Sequence, residues 1–255
     1  MKNILKIMLM MITIFTIAGS AVYAAEIPVS DQDQLITSRD WTEISNLQDE
    51  MKKEEPDATI DYDKALKVYV DCNLIKLQTA DTKKLTSALE SANYVWVIPF
   101  KMEKTYGMFT VAKGLPLSEE AKSVLTKAEQ EEVKNHAGKW MITETAEHTV
   151  EPYYDILLEK REALSDCTRV VLVGSQPGMR QPVALGMDDE TARIWISLGY
   201  QYPVMEKIPE TQNVESGVYS FDSVAEISDT YIEDSEVSTG AGVQSRSSMK
   251  YVAGI

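Results

Sequence analysis

Histidine and cysteine are nearly missing from this 255-residue sequence, which has two of each: His136, His148, Cys72 and Cys167. So few imidazoles leave a histidine-dependent hydrolase little to work with. A zinc site usually brings three or four N or S ligands at recognisable spacings, and no such spacing is present here. Basic residues are scarce too, with 25 Lys and Arg against 40 Asp and Glu, a formal charge of −15. Nucleic acid and anionic lipid both need a basic footprint, so this surface repels them. It suits solubility, basic partners or loose cation binding instead. No nucleotide-binding glycine loop and no internal repeat is found, and no cofactor is implied. The carboxy end carries neither an apolar tail nor a basic stop-transfer cluster.

What is present begins at the amino end. Lys2 and Lys6 make a short positive region, and an uncharged, mostly apolar run follows from Ile7 to Ala18. Gly19 and Ser20 loosen the helix ahead of Val22-Tyr23-Ala24, which puts small residues where a signal peptidase reads. The pattern predicts a secretory signal peptide over residues 1–24, cleaved after Ala24 or, as the next choice, Ala25. An uncleaved anchor is the competing reading, because no charge follows until Glu26. The apolar run, however, falls short of the roughly 20 residues that span a bilayer. No cysteine follows it to accept a lipid. The rest of the chain is therefore expected to be secreted, without a stable membrane anchor once the leader is gone.

Residues 25–40 mix Asp, Gln and Ser and read as a flexible tether. Trp41, Ile44, Leu47 and Met51 then recur at helical spacing, up to Pro56. From 66 to 74 the even-numbered residues are apolar, with Lys67, Asp71 and Asn73 opposite, which predicts a strand with one buried face. Asp81 is placed to cap a helix whose Leu85, Ala88, Leu89 and Ala92 share one side. Strands are expected at 94–100 and 108–111, with Gly107 near the reversal. A long helix is expected from Ser118 to about Ala137, ended by Gly138. A short strand around Trp140 and a helix opened by Pro152 come next. Strands at 169–173, 183–187 and 192–198 follow, the last two paired across Asp188-Asp189-Glu190-Thr191. Strands grouped with tight reversals, and helices set between the groups, predict an α+β fold. Its sheet would be mainly antiparallel, with three to four helices against it. The globular domain would run over 41–228, with 145–152 as the place for any split into two subdomains. Residues 229–255 are acidic, then rich in Ser and Gly, and are expected to be poorly ordered.

Several motifs invite chemistry and fall short of it. His136 sits in the last turn of a predicted helix, where the helix dipole favours a cation. His148 lies among oxygen-bearing residues without a metal-site spacing. Gly174-Ser175-Gln176-Pro177-Gly178 is a turn, because Pro177 would break the helix a nucleophile elbow needs. Ser247-Ser248-Met249-Lys250 has the S-x-x-K spacing but lies in the predicted tail. Asp31-Gln32-Asp33, Asp61-Tyr62-Asp63 and Asp188-Asp189-Glu190 do not complete a twelve-residue calcium loop. Cys72 and Cys167 are an even pair in a secreted chain, so a disulfide is considered, worth about 4–5 kcal/mol on the chain-entropy account. Cys72 alternates in phase with apolar neighbours, which instead makes it a buried thiol of raised pKa.

The aromatic residues point furthest. Trp96, Trp195, Tyr200 and Tyr202 lie in or beside predicted strands, on faces that also carry polar residues. Exposed, they would form a platform for an extracellular glycan or protein partner; covered by helices, they are core. The expectation is a secreted bacterial binding or interaction protein, leaning away from catalysis. The alternative is an extracellular hydrolase using two carboxylates on a cell-wall or glycan substrate. A weaker third idea is release of a peptide from the tail.

Overall fold

The structure, a computed structural model, describes residues 27–148, 151–174, 176, 179, 182–199, 207–208, 213–215 and 217–235. Alternating apolar residues in its strands build one ten-stranded sheet. The strands are β1 (Thr59–Ile60), β2 (Leu66–Tyr69), β3 (Tyr94–Lys101), β4 (Tyr106–Lys113), β5 (Trp140–His148), β6 (Arg169–Val173), β7 (Val183–Met187), β8 (Ala192–Ser197), β9 (Asn213–Glu215) and β10 (Val218–Ser220). Their spatial order is β5-β4-β3-β2-β6-β7-β8-β10-β9, with β1 also on β3. Every pairing is antiparallel except β2 with β6, where Val68 lies beside Leu172 and Tyr69 beside Val173. The α+β class and the mainly antiparallel sheet follow the sequence expectation.

The helices outnumber the three or four expected. They are α1 (Trp41–Ile44), α2 (Gln48–Glu54), α3 (Thr82–Ser91), α4 (Glu119–Val124), α5 (Lys127–His136), α6 (Tyr153–Glu159) and α7 (Phe221–Ser235). A 3-10 turn at Ser45–Leu47 joins α1 to α2. Asp81 caps α3 as its sequence implies, its side chain accepting from the Lys84 amide at 3.0 Å. The long helix expected from 118 to 137 is two. Leu125 turns extended, and Thr126 starts α5 with a capping box completed by Glu129. That break leaves Val124, which belonged to the expected apolar face, in solvent. Gly138 closes α5 with φ at +74°, where glycine is free of the Cβ penalty. Helix α7 carries the chain to Ser235, past the expected end of order at 228. Residues 236–255, the leader with Ala24 and Ala25, and Ser247 to Lys250 lie outside the described residues.

Both faces of the sheet are covered. On one, Leu35, Ile44 and Met51 pack on Trp96, Ile98, Phe100 and Phe109, while Leu85 and Leu89 of α3 and Phe221 and Val224 of α7 pack on Val171, Val173, Leu185 and Trp195. On the other, Tyr153 and Leu157 of α6 join Ile27 and Val29 over Leu66, Val68, Val170 and Leu172. Strand β2 is thus buried on both sides, against the one buried face that alternation predicts. The sheet also runs through the chain on both sides of 145–152, so the described residues share one sheet there.

The stretch expected as a tether is instead built into the sheet. The Val170 amide donates to Pro28 O at 2.7 Å, and the Leu35 amide to Ala65 O at 3.1 Å. Residues 28–35 thereby fill the fork where β2 and β6 part below their short parallel contact. Ile27, Val29 and Leu35 supply the apolar surface that composition alone undercounts, and all three are buried. Cys72 and Cys167 are separate thiols, so the disulfide expectation is corrected. They belong to clusters on opposite faces, with the sheet between them.

Candidate functional site

The fork between β2 and β6 holds buried charge. Asp33, only 2% exposed, enters it from residues 28–35. Its carboxylate meets four donors. The Ser30 hydroxyl donates to Oδ2 at 2.6 Å and the Tyr69 hydroxyl to Oδ1 at 2.7 Å. Arg169 Nη2 of β6 donates to Oδ2 at 3.1 Å, and Lys67 Nζ of β2 stands 3.5 Å from Oδ1. One acid therefore gathers two cations from the two parallel strands. A carboxylate this deep requires such partners, because an unpaired buried charge is costly.

A second buried acid lies alongside. Asp40 precedes α1, and its Oδ2 accepts from the Tyr94 hydroxyl at 2.8 Å and from Trp96 Nε1 at 3.1 Å. Arg39, exposed beside it, brings Nε to 3.8 Å from Oδ1. Lys67 lies among the aromatic rings that these acids hold. Its Nζ is 4.7 Å from the Tyr94 ring centre, 5.3 Å from Trp96 and 5.7 Å from Tyr69, within cation–π range. Burial lowers the Lys67 pKa, and Asp33 and then Asp40 oppose that fall. Burial raises the Tyr69 phenol pKa, with the Asp33 charge adding to it. The Tyr94 phenol is likewise raised by burial, with Arg39 acting the other way.

Above this floor opens a cleft of about 390 Å³, between residues 31–40 and the end of α3. Lys67, Tyr69 and Tyr94 form its base, while Asp31, Arg39 and Glu90 stand at its sides. A smaller, mainly apolar cavity of about 120 Å³ lies at β3, β4, β5 and α5, against Val95, Ala112, Val133 and Met141. The larger cleft is the candidate site because convergent polar groups meet aromatic and apolar walls there.

The residues singled out in sequence fare differently. Trp96 and Trp195 are completely buried, so neither indole offers a face to a partner. Trp96 still reaches the site from beneath, as a donor to Asp40. Trp195 packs against Phe221 under α7, with ring centres 6.0 Å apart. Tyr200 and Tyr202 lie outside the described residues. Asp188 caps its own hairpin, accepting from the Glu190 and Thr191 amides at 2.8 and 2.6 Å, and those bonds hold its pKa below the usual range. Among the described residues, no group of three or more His, Cys, Asp or Glu is placed to hold a metal ion. Burial pushes the Cys72 thiol up to about 11, as its apolar phase implied.

Sequence reasoning missed Asp33, Asp40, Lys67 and Arg169 as a group. The available signal was small: Lys67 and Tyr69 share a phase inside an otherwise apolar strand, and an acid-rich segment precedes it. No protein-family model, no curated protein and no solved structure matches this chain.

Proposed function

We propose that this is an exported, non-catalytic binding protein of a bacterial surface or its surroundings, with the cleft over Lys67 and Tyr94 as its ligand site. The observation that carries the reading is the rigid floor of that cleft. Tyr69 and Tyr94 each donate to a buried carboxylate, Asp33 and Asp40 respectively, and hold the cleft floor around Lys67, whose Nζ stands 3.5 Å from Asp33. Side chains held in this way lose little freedom when a ligand arrives, which favours binding. Export is proposed from the leader over 1–24. Among the described residues, no helix is long and apolar enough to cross a membrane.

Paired-carboxylate hydrolysis draws less support from the same geometry. Asp33 and Asp40 already accept from the protein's own hydroxyl, indole and cationic donors. A general acid must instead hold a proton for the leaving group.

The binding reading is tested by thermal denaturation of the purified chain against glycans, peptides and small metabolites. One ligand class should raise Tm in a saturable way, and Arg39→Ala at the cleft edge should weaken it. A Tm unmoved by every class would overturn the reading. Amino-terminal sequencing of the mature chain from culture fluid tests export; a full-length chain kept in the cytosol, with Met1 in place, would overturn it.

A further inference from the structure

We propose that the cleft takes a small zwitterion, an amino acid or short peptide, whose carboxylate is received by Lys67 Nζ; this rests on the binding reading above. An ammonium has three N–H donors. Among the described residues one carboxylate lies within ion-pair distance of Lys67, Asp33 Oδ1 at 3.5 Å, which is long for a charge-assisted bond. The faces of Tyr94, Trp96 and Tyr69 surround the same nitrogen and attract its charge without replacing an oxygen acceptor. Lys67 is 9% exposed and contributes to the cleft wall. A buried ammonium with so few acceptors is completed by an oxygen arriving through the opening.

The other groups select what carries that oxygen. Arg39 adds a second cation, 87% exposed in its side chain. Asp31 and Glu90 line the same space and carry no ion pair among the described residues. These acids disfavour a phosphate dianion and match a ligand ammonium. Leu89, Ala92 and the tyrosine rings supply apolar wall for a side chain. The volume of about 390 Å³ lies at the small end of ligand pockets, which suits one or two residues.

Isothermal titration of the purified full chain tests this with alanine, phenylalanine and Ala-Ala. Acetate, ethylamine and inorganic phosphate provide the single-charge and dianion arms. At least one zwitterion should bind tenfold or more tightly than acetate or ethylamine. Lys67→Met should abolish that binding, and Arg39→Ala and Glu90→Gln should each weaken it several-fold. Should Lys67→Met fail to fold, the ¹⁵N-labelled Lys67 ammonium signal of the unmodified chain must shift on saturation with the zwitterion. Acetate or phosphate binding as tightly, or a zwitterion indifferent to the three substitutions and silent at Lys67, would overturn the proposal. A glycan bound in place of zwitterions, and weakened by Arg39→Ala, would overturn it while leaving the cleft as the binding site. Failure of every probe class would remove both readings.

Discussion

The Tyr69 hydroxyl donates to Asp33 Oδ1 at 2.7 Å, joining the last residue of β2 to a residue 36 positions earlier in the chain. That bond, with the Arg169 contact at 3.1 Å, fixes the amino-terminal segment in the fork of the sheet. The cleft has its near wall only because this segment is held.

Removing the carboxylate should therefore cost more than a surface charge would. Asp33→Ala leaves Lys67 and Arg169 without their shared acid, and a broken buried pair typically costs about 3–5 kcal/mol. Urea denaturation should show this loss, and the double variant Asp33→Ala with Lys67→Met should lose less than the single one. A loss under about 1 kcal/mol would mean that water already screens the cluster.

Alkali should weaken the fold through its thiols. Burial pushes Cys72 and Cys167 up to about 11 from an ordinary 9.0. Unfolded chains release these protons first, so the stability they contribute is complete below pH 9 and falls as pH rises toward 11. The loss is about 2–3 kcal/mol per thiol at most. Lys67 works in the opposite sense, since its lowered pKa means that raising pH relieves a buried charge. Urea midpoints between pH 8 and 10.5 should fall, and replacing both cysteines by Ala should flatten the fall. Thiol titration should find neither group reactive in the native chain and both reactive in urea; a disulfide would leave none in either state.

Gly107 should not accept a methyl group. It pairs with Phe100 across β3 and β4, and a Cβ there would lie 2.1 Å from the Phe100 ring. Gly107→Ala should destabilise by about 1–3 kcal/mol, the usual cost of overpacking. Phe100→Leu should recover part of that loss in the double variant. Equal additive losses in a double-mutant cycle would deny the contact.

The two buried indoles should respond unequally to removal of their N–H. Trp96 Nε1 donates to Asp40, whereas Trp195 Nε1 is buried without a partner among the described residues. Trp96→Phe should exceed Trp195→Phe by about 1.5–3 kcal/mol, the value of a bond to a charged group. Chemical denaturation of the two variants measures the difference directly, and equal losses would argue against the Asp40 bond.

Local rules explain how much of this could be read beforehand. Asp81, Gly138 and the Asp188 turn are legible because capping and hairpin chemistry lies within a few residues. Alternation finds β2 but cannot see that residues 28–35 return to cover its second face, so Lys67 looks like a solvent-side residue. The supposed tether hides in the same way: Ile27, Val29 and Leu35 are too sparse to form a periodic pattern, and only tertiary contact buries them. Trp96 and Trp195 stay open between platform and core for the converse reason, since polar neighbours in sequence do not show which helix lies above a strand; both are buried. The Asp33 cluster draws on three distant stretches, and no spacing rule joins them.

The brief alongside pairing of β2 with β6 has a temporal consequence. Each flank of the sheet is a run of hairpin-like neighbours that can zip from nearby chain, but Tyr69 must wait for Val173. The wedge carrying Asp33 has no slot to enter until that seam closes. The cleft is then expected to form last and, on opening, to be lost first. Native-state hydrogen exchange should show the Leu35 and Val170 amides exchanging ahead of those in the β3–β4 hairpin.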